Sequence, residues 1–257
     1  MYPLTDAVLR LPTPLIVLLL TTAWGTVAFA IHRFVVPRLC GADGARLGKF
    51  EAEVTSQIAL AFGLLISFNA VWVWERGDRV REAVLDEVAA LESVLDEVDF
   101  GTPMDTAQRT ELYGRVAAYA AHAVEVEWPE LEYSRVGRER PQELIALRRF
   151  ASGMGSEPIL EGVKRAESAR EVRVREGQAT MPRSRWVIVV ALAILTLVSI
   201  GALHGEAPRG RALALALVTL AIAFCFAVLF VGGRPFIGDH AIQPDGLRAV
   251  LERASRP

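Results

Sequence analysis

The side chains that could carry out chemistry are scattered along this 257-residue sequence rather than grouped. Its four histidines lie far apart, and none stands at metal-ligand spacing from a carboxylate or a cysteine. The sequence contains neither a phosphate-binding glycine loop with a lysine nor a nucleophile elbow. We therefore expect no enzyme activity, no metal and no other cofactor. The formal net charge of −2 gives no indication of a nucleic-acid partner.

Polar side chains that could line a path for ions occur within one long apolar run, at Thr55, Ser56, Gln57, Ser67 and Asn69. This run and three similar ones contain no Asp, Glu, Lys or Arg, which argues against a proton relay or a transporter with a charged site in the membrane. Small polar groups inside such a run serve either helix packing or a pore lining. The chemistry alone leaves both interpretations open.

The four uncharged apolar runs are long enough to form membrane-spanning helices. Crossing a hydrocarbon core of about 30 Å takes about 20 apolar residues in a helix. The runs cover residues 11–32, 54–74, 186–204 and 212–233. Trp72, Trp74 and Trp186 stand at the predicted membrane edges, where amphipathic rings are favoured. The sequence therefore predicts a multi-pass protein of the plasma membrane, with lipid as one partner.

The distribution of basic residues predicts how the protein is oriented. With four spans, both termini and the segment between the second and third spans share one side. Near the membrane this side carries Arg10, Arg76, Arg79, Arg81, Arg173, Arg175, Arg183, Arg185, Arg234 and Arg248. The opposite side carries Arg33, Arg38, Arg46, Lys49, Arg209 and Arg211. The positive-inside rule then places both termini and the central segment in the cytoplasm.

The central segment is predicted to be helical. Apolar residues from 84 to 98 alternate spacings of four and three, as in the seam of a packed helix; they are Val84, Val88, Leu91, Leu95 and Val98. The acidic residues Asp86, Glu87, Glu92, Asp96 and Glu97 are predicted to occupy its other faces. No proline occurs from residue 53 to 99, so the second span can continue into this helix.

Further helices are predicted at residues 105–128, 141–151 and 156–177, with Pro129 ending the first of them. No segment shows sustained strand alternation, so the fold class is all-α. The predicted organisation has two spans in residues 1–75, a helical cytoplasmic domain in 76–184, two spans in 185–233 and a cytoplasmic tail in 234–257.

Several motifs resemble the bestrophin channels and the bacterial bestrophin-like family. Residues 61–68, AFGLLISF, resemble the aliphatic-glycine-aromatic segment that lines the bestrophin pore. Residues 234–239, RPFIGD, resemble the segment after the last bestrophin span, and they contain Pro235, Phe236 and Asp239. Other residues resemble motifs of the bacterial relatives; they are Tyr119, Glu127-Trp128-Pro129, and the pair Arg170 and Arg173. The resemblance extends from about residue 52 to 251.

This resemblance implies a homo-oligomeric channel, pentameric as in bestrophins, that passively conducts small ions. Bestrophin relatives include anion-selective and cation-selective channels, and of these we expect chloride and other anions to be the permeant species. Its pore would be a narrow apolar neck lined by the second span. Aligning Gly63 with the motif glycine places Leu64 at the inner neck position. Leu60 and Ser56 then lie one and two turns outward on the same helix face. Ser56 departs from the family, because bestrophin necks carry a large apolar residue at this position.

Eukaryotic bestrophins bind calcium just after the Pro-Phe-Gly segment, but calcium gating is not expected here. Asp239 is the one carboxylate in residues 238–242, whereas calcium takes about six to eight oxygen ligands. Two other functions are compatible with the sequence. One is a non-conducting signalling or scaffold protein that relays a membrane event through its central helices. The other is a membrane-embedded enzyme, which the uncharged apolar runs disfavour.

Overall fold

The computed structural model describes residues 8, 10–41, 51–101, 103–133, 135–137 and 139–256. Arg46 and Lys49, two of the basic residues predicted on the side opposite the termini, lie outside the described residues. The described residues form helices and no strand, which confirms the all-α prediction. The helices are α1 Thr13–Ala30, α2 Val36–Cys40, α3 Ala52–Phe100, α4 Thr106–His122, α5 Trp128–Glu132, α6 Gln142–Gly153, α7 Glu157–Gln178, α8 Arg183–Leu203, α9 Pro208–Gly232 and α10 Asp245–Ala254.

Among the described residues, four helical segments are long and apolar enough to cross a membrane, as the sequence predicted. They are Thr13–Cys40, α3, α8 and α9. The first is longer than the predicted run, because the helix continues beyond His32 to Cys40. The second predicted span and the heptad helix form one uninterrupted helix, α3, which passes through Gly77.

Two π-helical turns allow helices to continue through prolines that would otherwise end them. The turn Ile31–Val35 joins α1 to α2 just before Pro37, and Ala123–Glu127 joins α4 to α5 just before Pro129. Proline lacks an N–H, and its ring clashes with the carbonyl four residues earlier. In both cases that carbonyl lies inside the widened turn, where the extra residue relieves the clash. The prediction that Pro129 ends its helix was therefore wrong.

The chain divides into two compact units, Met1–Trp74 with Thr180–Gly233, and Glu75–Ala179 with Arg234–Pro257. The first unit has an apolar core built from the four candidate spans. Trp24 and Trp186 both pack on Phe226, with ring centroids 4.9 and 6.1 Å apart. Gly201 permits a close approach of α8 to α2, because a Cβ on this residue would lie 2.6 Å from the Val36 side chain.

The second unit packs α4 to α7 and α10 around the later half of α3. The predicted seam is largely confirmed, since Val84, Leu91, Leu95 and Val98 are buried and Val88 packs against the same core. Polar contacts add to this packing at the C-terminal helix. Arg253 of α10 donates hydrogen bonds to Asp96 and Asp99 at 2.7 and 2.9 Å. The last helix is thereby fixed to the end of α3.

Candidate functional site

The first half of α3 has one face packed in its own unit and one face left open. Thr55, Phe62, Ile66, Asn69 and Val73 are buried. The hydroxyl of Thr55 donates to the Ser199 carbonyl at 3.5 Å, and the Asn69 amide donates to the Leu65 carbonyl at 2.7 Å. Thr55 and Asn69 therefore serve packing within the protomer rather than a pore lining.

The predicted neck residues lie on the opposite side, which we call the open face of α3. Ser56 is exposed, and Leu60 and Leu64 are 57% and 53% exposed. Gly63 lies beside them, and a Cβ built on it meets no atom within 4 Å. Neither leucine is buried against helices of its own protomer. Each remains available to contact lipid, another copy of the chain or the contents of a pore.

Polar side chains distinguish the open face of α3 from the exposed faces of the last two spans. Ser56, Gln57 and Ser67 are exposed on α3, and the Ser67 hydroxyl is satisfied by the Gly63 carbonyl at 2.8 Å. The exposed side chains of residues 187–203 in α8 and 212–228 in α9 are apolar, whereas Thr196, Ser199 and Thr219 are buried. The outer surfaces of α8 and α9 therefore suit lipid, whereas the α3 surface is mixed in character.

The second unit contains a buried cluster of charges, in which the structure brings together four of the predicted motif residues. Arg170 and Arg173 lie one turn apart on α7. Arg170 donates to Glu127 Oε1 from Nε at 2.8 Å and from Nη2 at 2.5 Å. Arg173 donates from Nη2 to Glu127 Oε2 at 2.9 Å. The guanidinium carbon of Arg173 also lies 5.3 Å from the centre of the Trp128 ring, a cation–π contact.

Two further residues complete this cluster: Tyr119, which belongs to the family resemblance, and Glu87, which was not predicted to lie at this site. Arg173 Nε donates to Glu87 Oε2 at 2.7 Å, and the Tyr119 hydroxyl donates to Glu87 Oε1 at 2.5 Å. Glu87 is 0% exposed, so its predicted placement on an outer face of α3 was wrong. Its spacing of three from Val84 and four from Leu91 was the available signal, because these distances place it inside the buried stripe.

The pKa shifts show how the cluster holds its charges. Burial raises the pKa of the Glu127 carboxyl, but the charges of Arg173 and Arg170 outweigh it, and the pKa lies below its usual value. Burial and the neighbouring Glu87 raise the pKa of Tyr119 well above its usual value, so this phenol stays protonated. The lowered pKa of Glu127 means that its ionised form adds stability above the ordinary carboxyl pKa. That contribution is lost as the pH falls through the lowered value.

The C-terminal motif borders the charged cluster. Phe236 is buried and meets Trp128 edge to face, with ring centroids 5.2 Å apart. The Pro235 carbonyl accepts a hydrogen bond from the Ile242 amide at 2.9 Å, and the Trp128 indole donates to the Ile242 carbonyl at 3.2 Å. Asp239 is exposed. Pro235 and Phe236 thus hold the C-terminal motif against Trp128, and Phe236 makes the apolar contact.

Within the described residues, no group of three His, Cys, Asp or Glu side chains could hold a metal ion. No curated protein and no solved structure matches the chain. One family model does match, and its description is a bestrophin-like domain covering residues 19–247. The match includes all four candidate spans from residue 19 onward, the open face of α3 and the buried charged cluster. The chain therefore belongs to the bestrophin-like family of membrane proteins.

Proposed function

We propose that the protein is a homo-oligomeric ion channel that conducts small ions passively, with chloride and other anions as the permeant species. The observation that carries this proposal is the open face of α3. In a chain of a channel family, the residues aligned with the family's neck point away from the protomer's own core. Several copies of α3 around an axis would place Leu60 and Leu64 toward that axis. Pentameric assembly follows the family resemblance.

The constriction we propose works by excluding water. Rings of Leu64 and Leu60 would give a narrow apolar passage, in which an ion loses its hydration shell and finds no polar group to replace it. Ser56, one turn outward, supplies a hydroxyl, so the outer end of the neck is wetter than the inner end. Gly63 carries no side chain, so neighbouring copies of α3 can approach closely beside the gate. Conduction then depends on the width of the two leucine rings.

The proposed orientation has both termini, residues 76–184 and the tail 234–257 in the cytoplasm. It predicts that Ala107→Cys, in a background with Cys40→Ala and Cys225→Ala, does not react with a membrane-impermeant thiol reagent added outside intact cells. Ala107 is exposed in the structure, so a lack of labelling reflects the membrane rather than burial. The matched control is Ala207→Cys in the exposed α8–α9 loop, which should react. The reverse labelling pattern would overturn the orientation.

The proposed function is tested by assembly and ion flux on the same preparation. In mild detergent, native mass spectrometry should give one stable homo-oligomer, with five copies expected. The same protein in lipid vesicles should dissipate a chloride gradient faster than empty vesicles. A monodisperse monomer, or a stable oligomer that passes no ions, would contradict the proposal. The second of these results would favour a scaffold or signalling role instead.

A further inference from the structure

A buried arginine in the first unit has no ion-pair partner among the residues that the structure describes. Arg211 lies in the first turn of α9 and is 9% exposed. Its Nε donates a hydrogen bond to His32 Nδ1 at 3.1 Å, and its Nη1 donates to the Gly205 carbonyl at 3.5 Å. No carboxylate pairs with Arg211 within the described part of the chain. Burying a cation without a counter-charge is unfavourable, so a bound anion would stabilise this arrangement.

The neighbours of Arg211 do not supply that negative charge. A histidine that accepts a hydrogen bond at Nδ1 carries its proton on Nε2 and is uncharged. The start of α9 adds to this lack of negative charge, because a helix N-terminus bears a partial positive charge that disfavours cations. The neutral imidazole therefore does not offset the guanidinium charge, and the helix terminus raises the positive potential around it.

Charges nearby in the sequence point the same way. The segments 31–41 and 204–211 contain His32 and Arg211, and together they carry four arginines and one acidic residue. These are Arg33, Arg38, Arg209, Arg211 and Glu206. All of them except Arg211 are exposed, so the surroundings of the buried pair carry an excess of positive charge. Such an excess attracts and concentrates anions.

The position of His32 depends on the π-helical turn Ile31–Val35. That turn exists because Pro37 would otherwise clash with the carbonyl of Arg33. The widened backbone sets the imidazole against Arg211 and leaves its Nε2–H as a further donor. Arg211 Nη2 also forms no hydrogen bond within the described residues. The pair therefore offers two kinds of donor where the first and fourth spans meet their loops. One is the planar, charged guanidinium of Arg211, and the other is the neutral Nε2–H of His32.

We propose that Arg211 and His32 form a binding site for a phosphate-bearing anion. A guanidinium presents parallel N–H groups that match two oxygens of one phosphate, and this geometry favours an oxyanion over a spherical halide. The apolar stretch 212–233 begins immediately after Arg211, so the site lies at the depth of lipid head groups. The ligand is thus a phospholipid head group or free phosphate. The site does not depend on whether the protein conducts ions.

The test compares the purified oligomer with Arg211→Gln and with Arg209→Gln, an exposed arginine in the same turn. One arm measures retention of phosphatidylglycerol by native mass spectrometry. The other measures the rise in melting temperature with inorganic phosphate against chloride at equal ionic strength. We expect Arg211→Gln to weaken binding about tenfold or more in at least one arm, as for loss of a charge-assisted hydrogen bond. Arg209→Gln removes one exposed charge and should weaken binding far less, by about twofold at most, because exposed charges are screened by solvent and salt.

The two arms separate the sources of the phosphate. A loss confined to the lipid arm assigns a head group, and a loss in the phosphate arm assigns the free ion. If Arg211→Gln does not assemble, Arg211→Lys replaces it and should bind about threefold more weakly, because a lysine lacks the planar fork. The proposal is overturned if the parent binds neither ligand. It is equally overturned if the Arg211 variant binds both ligands as the parent does.

Discussion

The double substitution Leu60→Ala and Leu64→Ala is expected to raise the single-channel current in planar bilayers about tenfold, the effect of lowering the barrier by about 1.4 kcal/mol. Smaller side chains widen the neck, so water enters where two leucine rings had excluded it. Both leucines are more than half exposed in the protomer, so the change leaves no cavity in its core. Assembly should therefore be preserved, and native mass spectrometry on the same preparation checks this.

Two controls separate a change in the pore from a general loosening of the protein. Leu213→Ala with Leu217→Ala removes two exposed leucines of α9 at the same spacing, and the current should not change. Leu91→Ala removes a fully buried leucine of the second unit. It should destabilise the protein by about 2–5 kcal/mol without a gain in current. If the α9 control raises the current as much as the α3 variant, the neck assignment is wrong.

Replacing Arg173 is expected to have the largest effect on stability. Arg173→Met leaves Glu87 without its guanidinium partner in a fully buried position. Breaking a buried pair in this way costs about 3–5 kcal/mol, because the remaining charge stays out of water. The measurement is the thermal melting temperature of the purified protein, which should fall markedly.

Arg175→Met is the matched control for the charged cluster. Arg175 lies on the same helix two residues away, and its own side chain is 66% exposed where it pairs with Glu176. Surface substitutions of this kind change stability by about 0.5 kcal/mol or less. Equal melting temperatures for the two variants would show that the buried cluster does not hold the second unit together.

The spans and the all-α class could be predicted from sequence because their signals are local. A run of about 20 uncharged apolar residues identifies a span without knowledge of its neighbours. Proline positions were less informative, because a π-helical turn lets a helix continue through Pro37 and Pro129. The break expected at Pro129 rested on proline's usual behaviour in a helix. A π-helical turn is an alternative to a helix break at proline, and the sequence pattern did not predict it.

The charged cluster was only half predictable. The bestrophin-like resemblance had singled out Glu127, Arg170 and Arg173. The spacing of Arg170 and Arg173 also places both of them on one helix face. Glu87 lies 86 positions before Arg173, and only the fold brings the two together. An acidic residue in a heptad helix is usually solvated, so its burial becomes evident once a cation is known to reach it. The pairing is a tertiary property.

The neck assignment differs from the spans and the charged cluster in what is needed to test it. It concerns a surface of α3 that a single chain leaves open. The helix face follows from spacing, and the structure shows that Leu60 and Leu64 do not bury themselves in their own protomer. Which molecule covers that face is decided by other copies of the chain or by lipid. Function at this site therefore has to be tested on the assembled protein.

The central claim is that the open face of α3 lines the ion path, and one measurement tests it most directly. Leu64→Cys, in a background with Cys40→Ala and Cys225→Ala, is recorded in a planar bilayer before and after a charged methanethiosulfonate reagent. The label adds bulk and charge at the proposed constriction, so the current should fall sharply. Leu217→Cys on α9 should be unaffected. An unchanged current through channels shown by mass spectrometry to be fully labelled at position 64 would contradict the claim.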